Sequence, residues 1–160
     1  HLANAAVSKR CSWKDGAKQV ESILRRAGAS LDGIEVADGS GVSLYNYVSA
    51  ELETKLLRYA WLHGNIYDHL YPALPTAGTD GTLEKRMIKT AADGNVRAKT
   101  GTLTGISSLA GYCVAANGHQ LCFSIIIQGV MRNQAGKDFQ DRVCQVLCEP
   151  WGTTQEALEQ

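Results

Sequence analysis

The sequence lacks a net charge, a long apolar run, a paired metal-ligand motif and an initiating methionine. Sixteen Lys and Arg balance sixteen Asp and Glu across 160 residues. No global field therefore draws in nucleic acid or an anionic membrane surface, and no nucleic-acid partner is expected. The basic run Ser8-Lys9-Arg10 reads as a solvated helix face. No stretch approaches the roughly 18 consecutive apolar residues of a membrane-spanning helix, and the start has no charged-then-apolar signal pattern. His1-Leu2-Ala3-Asn4-Ala5-Ala6-Val7 already reads as helix, as an internal start would. The five cysteines, Cys11, Cys113, Cys122, Cys144 and Cys148, form no Cys-x-x-Cys pair, and the four His are scattered. No zinc site is expected, and the odd count argues against a complete disulfide framework.

What is present suits one globular domain with a core: 44% of residues are hydrophobic and 20% charged. Ala17, Val20, Ile23, Leu24 and Ala27 recur at helical spacing and predict a helix over Trp13 to Ala27, stopped by Gly28. Ile34-Glu35-Val36 is a short strand candidate, running into the glycine-rich Asp38-Gly39-Ser40-Gly41. Ser49 is placed as an N-cap, followed by a helix with the stripe Leu52, Leu56, Leu57 and Ala60, ended by Gly64. Pro72 through Thr82 reads as a second loop, and Leu83 to Ile88 as a short amphipathic helix.

Beyond Asp93-Gly94 the pattern turns to strands: Val96 to Leu103, Ile106 to Ala116 and His119 to Val130. Ile125-Ile126-Ile127 is apolar at successive positions, which predicts cover on both faces of that strand. Asn117-Gly118 is a strong hairpin signal. As a two-residue turn it pairs Ala116 with His119 and sets Cys113 opposite Cys122, at a separation a disulfide could span. Phe139, Val143, Val146 and Leu147 define a closing amphipathic helix, in which Cys144 and Cys148 lie one turn apart and are expected reduced. Helices, then an antiparallel meander, then a helix predict an α+β fold.

Lys99-Thr100-Gly101 carries the clearest chemical meaning. A peptide ending in a free carboxylate can lie antiparallel beside a strand that offers exposed backbone groups, a cation and hydroxyls. Gly101 permits close approach, Lys99 supplies charge, and Thr100 and Thr102 supply hydroxyls. Alone, the triplet reads better as an edge strand with a solvated lysine.

Its surroundings narrow the reading. Val96 through Tyr112 closely resembles the Lys-Thr-Gly strand of the D-Ala-D-Ala carboxypeptidase/endopeptidase family of low-molecular-mass penicillin-binding proteins. Asp38-Gly39-Ser40-Gly41-Val42-Ser43 resembles that family's Asp-Gly-Ser-Gly-Leu-Ser loop. Leu74-Pro75-Thr76-Ala77-Gly78-Thr79-Asp80-Gly81-Thr82-Leu83 resembles its Pro-x-Ala-Gly-x-Asp-Gly-Thr-Leu loop, and Trp13-Lys14-Asp15-Gly16-Ala17 also fits. The three blocks occur in the family's order.

The resemblance implies the transpeptidase and serine β-lactamase-like α+β domain. Residues 1–150 would be the C-terminal part of one catalytic domain and 151–160 a polar tail. It implies acyl transfer on peptidoglycan stem peptides, trapping by β-lactam antibiotics, no metal or organic cofactor, and a periplasmic or other extracytoplasmic location. Lys99, Thr100, Gly101 and Thr102 would be catalytic-strand residues, with Ser43 and Thr104 lining the substrate groove. Leu44 stands where the family often has a basic residue, which removes one cue to stem-peptide preference.

The family's nucleophile is the Ser of Ser-x-x-Lys, with a Ser-x-Asn partner. No Ser here has Lys three residues on or Asn two residues on. The missing N-terminal part of the polypeptide is therefore the expected partner, and the isolated chain is expected to resist acylation by penicillin. Two alternatives stand: a non-catalytic peptidoglycan-binding module, and another serine acyl hydrolase of this fold, an esterase or β-lactamase. Asp38 and Asp80 could be acid/base groups, but in glycine-rich loops Asp more often binds neighbouring amides. His63, Asp68 and His69 could be metal ligands, but near a helix end they read as solvated or capping groups.

Overall fold

In the computed structural model of the chain, residues 1–7 and 10–150 are described. Ser8 and Lys9 of the basic run, and the tail from Trp151 to Gln160, lie outside the described residues. The chain divides into two compact units, His1–Tyr59 and Ala60–Gln160.

The first unit holds helices α1 (Leu2–Val7) and α2 (Trp13–Arg26) and most of α3 (Ala50–Leu62). A capping box starts α2: Ser12 Oγ accepts from the Asp15 amide at 3.3 Å, and Asp15 Oδ2 accepts from the Ser12 amide at 2.8 Å. Gly28, at φ +77°, ends it as expected. Leu24, Ala29 and Leu52 are buried, with Val20, Leu31, Ile34 and Leu56 packed around them. The Ile34–Val36 strand shrinks to one bridge in which Glu35 and Tyr47 exchange backbone bonds of 3.0 Å, closing the glycine-rich loop at its base. Ser49 caps α3 as expected, its hydroxyl accepting from the Leu52 amide at 3.1 Å.

Two expectations fail at the start of the second unit. Gly64 does not close a helix into a loop; it opens α4 (Gly64–Ala73), with His63 at the N-cap position and Pro72 inside the last turn. The reason is tertiary. Tyr67 and Tyr71, one turn apart on α4, stack at 5.0 Å and both meet Tyr112 edge-on, at 5.3 and 5.9 Å. The guanidinium of Arg97 lies 5.1 Å from the Tyr71 ring centre. Residues 83–88 do not form an α-helix either. A single 3₁₀ turn, Gly81–Leu83, is followed by irregular backbone in which Met87 and Lys89 are left-handed, both at φ 60°. Leu83 and Met87 are buried as an amphipathic pattern suggests, but Arg86 is drawn away to bond the closing helix.

The sheet is a meander of β1 (Arg97–Leu103), β2 (Ile106–Val114) and β3 (Gln120–Gln128) in the order β1-β2-β3, all antiparallel. Thr104-Gly105 makes the first turn, with Gly105 at φ +73°. The second hairpin departs from expectation by one residue. Its loop is Ala116-Asn117-Gly118, closed by Gly118 N–H to Ala115 C=O (2.8 Å) and Ala115 N–H to His119 C=O (2.9 Å), with Gly118 left-handed at φ +84°. This is a three-residue turn with its glycine in the bulge position. Cys113 therefore faces Leu121, and Cys122 faces Tyr112. A one-residue slip reverses faces, so the Cys113–Cys122 adjacency is wrong and the two lie on opposite sides of the sheet. No disulfide links cysteines among the described residues.

Helix α5 (Asn133–Cys148) packs on the sheet with a face turned away from part of the expected one: Leu147 lies against the core and Val143 is half-buried. Gly136, Gln140, Cys144 and Cys148 are buried, whereas Phe139 and Val146 are about half exposed. A polar network selects this face. Gln140, fully buried, donates to Ser107 Oγ at 3.1 Å and accepts from Arg86 at 3.1 Å. Arg86 also grips Asp141 Oδ1 through Nη2 at 2.6 Å and Nε at 2.9 Å. Around it lies the main core of Leu83, Met87, Val96, Ala98, Leu109, Cys113 and Phe123.

Candidate active site

Strand β1 presents the Lys-Thr-Gly element, and its hydrogen-bond phase determines which groups are on offer. The Ala98 amide bonds the Pro75 carbonyl at 3.0 Å, and the Val96 carbonyl accepts from the Ala77 amide at 2.9 Å. Both groups therefore point away from β2. In an antiparallel pair the outward-pointing residues alternate, so the N–H and C=O of Thr100 and Thr102 also point to the outer edge. The loop at Pro75–Ala77 covers that edge only as far as Ala98. Past it, the edge is flanked by the 3₁₀ turn, whose Thr82 hydroxyl accepts from Thr100 Oγ1 at 3.0 Å.

Lys99 is exposed, and its ammonium donates to the Thr100 carbonyl at 2.6 Å, which holds the charge over this same edge. Side chains alternate along the strand: Lys99 and Gly101 share one face, Thr100 and Thr102 the other. Gly101 faces Ser108 across the ladder, and a Cβ there would collide with Ser108 Oγ. The Ser108 hydroxyl can rotate aside, and the next contact, Ser108 Cβ at 3.7 Å, is ordinary, so the sheet by itself does not require glycine here.

Thr104, exposed, sits in the turn directly after β1. Lys99, Thr100, Gly101, Thr102 and Thr104 are therefore together on one strand and its turn. Ser43 belongs to the first unit, where its hydroxyl accepts from the Tyr45 amide at 3.2 Å and its own amide bonds Asp38 Oδ2 at 3.0 Å. Asp38 is a loop organiser. It accepts from the amides of Ser40 (3.1 Å), Gly41 (2.8 Å) and Ser43 and from Asn46 Nδ2 (3.0 Å). The Asn46 bond, then the loop amides, hold its carboxyl below the ordinary value. Asp80 likewise organises its loop, accepting from the Thr76 amide at 2.6 Å. His63, Asp68 and His69 are exposed, and no metal-holding cluster of His, Cys, Asp or Glu occurs among the described residues.

Thr82, which the sequence marks only as a loop residue, meets the Lys-Thr-Gly strand through Thr100. Its signal was its place in Asp80-Gly81-Thr82-Leu83, where the buried Leu83 fixes the turn against the core. Gly78 in the same loop is left-handed at φ +67°, and a Cβ there would strike Asp93. The Asp93 carboxylate in turn bonds the Lys89 amide at 2.7 Å.

An exposed strand edge with an adjoining cation, a three-stranded antiparallel sheet and a helix packed on it define the penicillin-binding and β-lactamase type of α+β domain. The chain superposes on crystal structures of penicillin-binding protein 4 from Haemophilus influenzae. One of these, solved with a β-lactam, aligns with a TM-score of 0.81 and 28% identity over 92% of this chain and 36% of that one. An extended-spectrum β-lactamase shares the fold at TM-score 0.57 and 19% identity, over 80% of this chain and 52% of that one.

Residues 2–149 match the D-Ala-D-Ala carboxypeptidase 3 (S13) family, and the chain belongs to it. A D-alanyl-D-alanine carboxypeptidase from Actinomadura sp. (strain R39) is 39% identical over 127 residues, covering 74% of this chain and 22% of the relative. The carboxypeptidase DacB of Haemophilus influenzae is 36% identical over 120 residues, covering 74% and 25%. The chain thus spans about a quarter of the length of these relatives. No described helix is long and apolar enough to cross a membrane.

Proposed function

We propose that the chain supplies the Lys-Thr-Gly side of the active site of a serine-type D-Ala-D-Ala carboxypeptidase/endopeptidase acting on peptidoglycan stem peptides outside the cytoplasm. The observation that carries this reading is the outward phase of Thr100 and Thr102 on an exposed edge, with the Lys99 ammonium held over it, in a chain whose family is established. Both compact units would belong to one catalytic domain.

A stem peptide would lie antiparallel along β1, as an added strand. The serine of a Ser-x-x-Lys motif, carried by the part of the polypeptide outside this chain, attacks the D-Ala-D-Ala carbonyl. The Thr102 amide donates to the oxyanion as charge develops there, and the serine's own amide is the second donor. The hydroxyls of Thr100 and Thr102 and the charge of Lys99 hold the substrate carboxylate, and Gly101 keeps the strand slim where the peptide approaches. Collapse of the intermediate expels D-Ala, and water then cleaves the acyl-enzyme. A β-lactam mimics the peptide and stalls at the acyl stage. Thr104, in the turn after β1, would contact the rest of the stem peptide, and the family's loop gives Ser43 of the first unit a substrate-binding role of its own.

The test is Lys99→Ala in the full-length protein. Loss of an electrostatic contact of this kind lowers turnover on the order of a hundred- to a thousand-fold, and an exposed lysine adds little to packing, so melting is unchanged. Retention of more than about half the D-Ala release rate, under 1 kcal/mol of barrier, would return Lys99 to the role of a solubilising edge lysine.

A further inference from the structure

Three of the five cysteines lie where the functional reading has no use for them: Cys113 on β2, and Cys144 and Cys148 on α5, all within the main core. Helix α5 runs alongside β2. Gly136, at its start, abuts Ser107, whose Cβ lies 3.0 Å from where a Gly136 Cβ would be, and Gln140 bonds the same serine. From Ser107 to Cys113 the strand advances about 20 Å at about 3.3 Å per residue. From Gly136 to Cys148 the helix advances about 18 Å at about 1.5 Å per residue. The two elements therefore carry Cys113 and Cys148 to the same level, on the same face of β2. There the Cys113 thiol donates a hydrogen bond to the Cys148 sulfur.

The geometry points to Cys113 and Cys148 as a disulfide-forming pair that staples the C-terminal end of α5 to the middle strand of the sheet when a disulfide-bearing oxidant reaches it. Of the other thiols, Cys144 acts on Cys113 only through charge, without the hydrogen bond that Cys148 accepts, and it is a poor partner for Cys148. Cys144 sits one turn before Cys148, where Cβ atoms are about 5–6 Å apart in a regular helix, beyond the roughly 3.5–4.5 Å that a disulfide spans. Cys122 is on the opposite face of the sheet, beside Tyr112.

The hydrogen bond also assigns the order of events. Accepting from Cys113 holds the Cys148 thiol below its ordinary value, while donating to Cys148, with burial added, pushes the Cys113 thiol up. Cys148 is the last residue of α5 and 5% exposed, so fraying of one helical turn presents its sulfur. The Cys148 thiolate attacks one sulfur of the oxidant disulfide, expelling one oxidant thiolate and forming a mixed disulfide. Cys113 then attacks the Cys148 sulfur and displaces the second oxidant thiolate, which takes the Cys113 proton. Two protein thiols are oxidised and one disulfide is reduced. The supply of such an oxidant in the cell rests on the extracytoplasmic reading above; the chemistry of the pair does not.

The experiment uses the full-length protein that contains this chain, purified reduced, exposed to oxidised glutathione, then denatured, alkylated and mapped by mass spectrometry. The expected product links the Cys113 and Cys148 peptides with loss of two hydrogens, is reversed by dithiothreitol, and raises the melting temperature by several degrees. Cys113→Ala should trap Cys148 as its glutathione adduct. If that variant does not fold, Cys148→Ser should abolish the link and leave Cys113 alkylated. Equal alkylation of both residues with and without oxidant, or a link through Cys144 or Cys122, overturns the proposal. Benzylpenicillin acylation of the same samples reports on the serine-hydrolase reading separately, since it depends on neither thiol.

Discussion

Gly111→Ala places a methyl group where the β1–β2 ladder has room for none. Built on the observed backbone, its Cβ lies 2.6 Å from Ala98 Cα and 2.7 Å from Ala98 Cβ, and it also overlaps the Arg97 carbonyl oxygen. Ordinary carbon contacts need about 3.5–4.0 Å, so the strands must part locally by about 1 Å. Ala98 cannot retreat: it is fully buried and its amide is tied to Pro75 at 3.0 Å. Overpacking typically costs 1–3 kcal/mol, and a clash with backbone on a pinned strand belongs at the top of that range, about 3 kcal/mol. Ala98 precedes Lys99, so the same displacement moves the candidate site. A misplacement of about 1 Å can lower turnover on the order of a hundred-fold.

The assay is urea unfolding together with D-Ala release, on full-length Gly111→Ala, Ala98→Gly and the double variant. Removing the Ala98 methyl relieves one of the three contacts, so the double variant should recover part of the loss, with a coupling of about 1 kcal/mol. A Gly111→Ala protein with unchanged midpoint and rate, or a cycle with no coupling, refutes the register and the argument built on it.

Arg86→Met removes one end of the 2.6 Å pair with Asp141, leaves Gln140 Oε1 without its donor and takes from the Lys137 carbonyl a bond additional to its helical one. A loss of about 3 kcal/mol is expected in the urea midpoint, with little recovery in Arg86→Lys, because the fork geometry is lost. For Asp38, NMR should place the carboxyl midpoint below 3.8. The folded value is depressed, so the stabilisation is present above the unfolded value. It disappears as pH falls through the folded one, loosening the loop to Asn46 in acid. A midpoint at or above 3.8 contradicts the observed bonding.

Much of this protein was legible because it is local. Apolar spacing and a glycine stop delimit α2 whatever surrounds it, and the Ser49 hydroxyl caps α3 within its first turn. Asp38 and Asp80 organise the loops that contain them. The Lys-Thr-Gly strand and its two companion loops mark the family without coordinates, since each motif is a short run whose glycines and hydroxyls act within a few residues.

What tertiary structure alone decided concerns partners distant in sequence. Gly64 and Pro72 read as loop residues until Tyr112, some forty positions on, gives Tyr67 and Tyr71 a surface that holds the helix together. Leu83 to Ile88 has the spacing of a helix, yet Arg86 reaches Asp141 and the backbone turns left-handed to let it. The outer stripe Phe139 and Val146 is the more apolar face of α5 by composition. The face that packs is Gly136, Gln140, Cys144 and Cys148, because a glycine allows the helix to close on Ser107 and a buried amide is satisfied there. The second hairpin differs from expectation by a single residue, and that residue sets which face every side chain of β3 occupies. Asn117-Gly118 suits either turn length, so the choice fell to the sheet, where Phe123 enters the core opposite Gly111 and Cys113 turns toward α5.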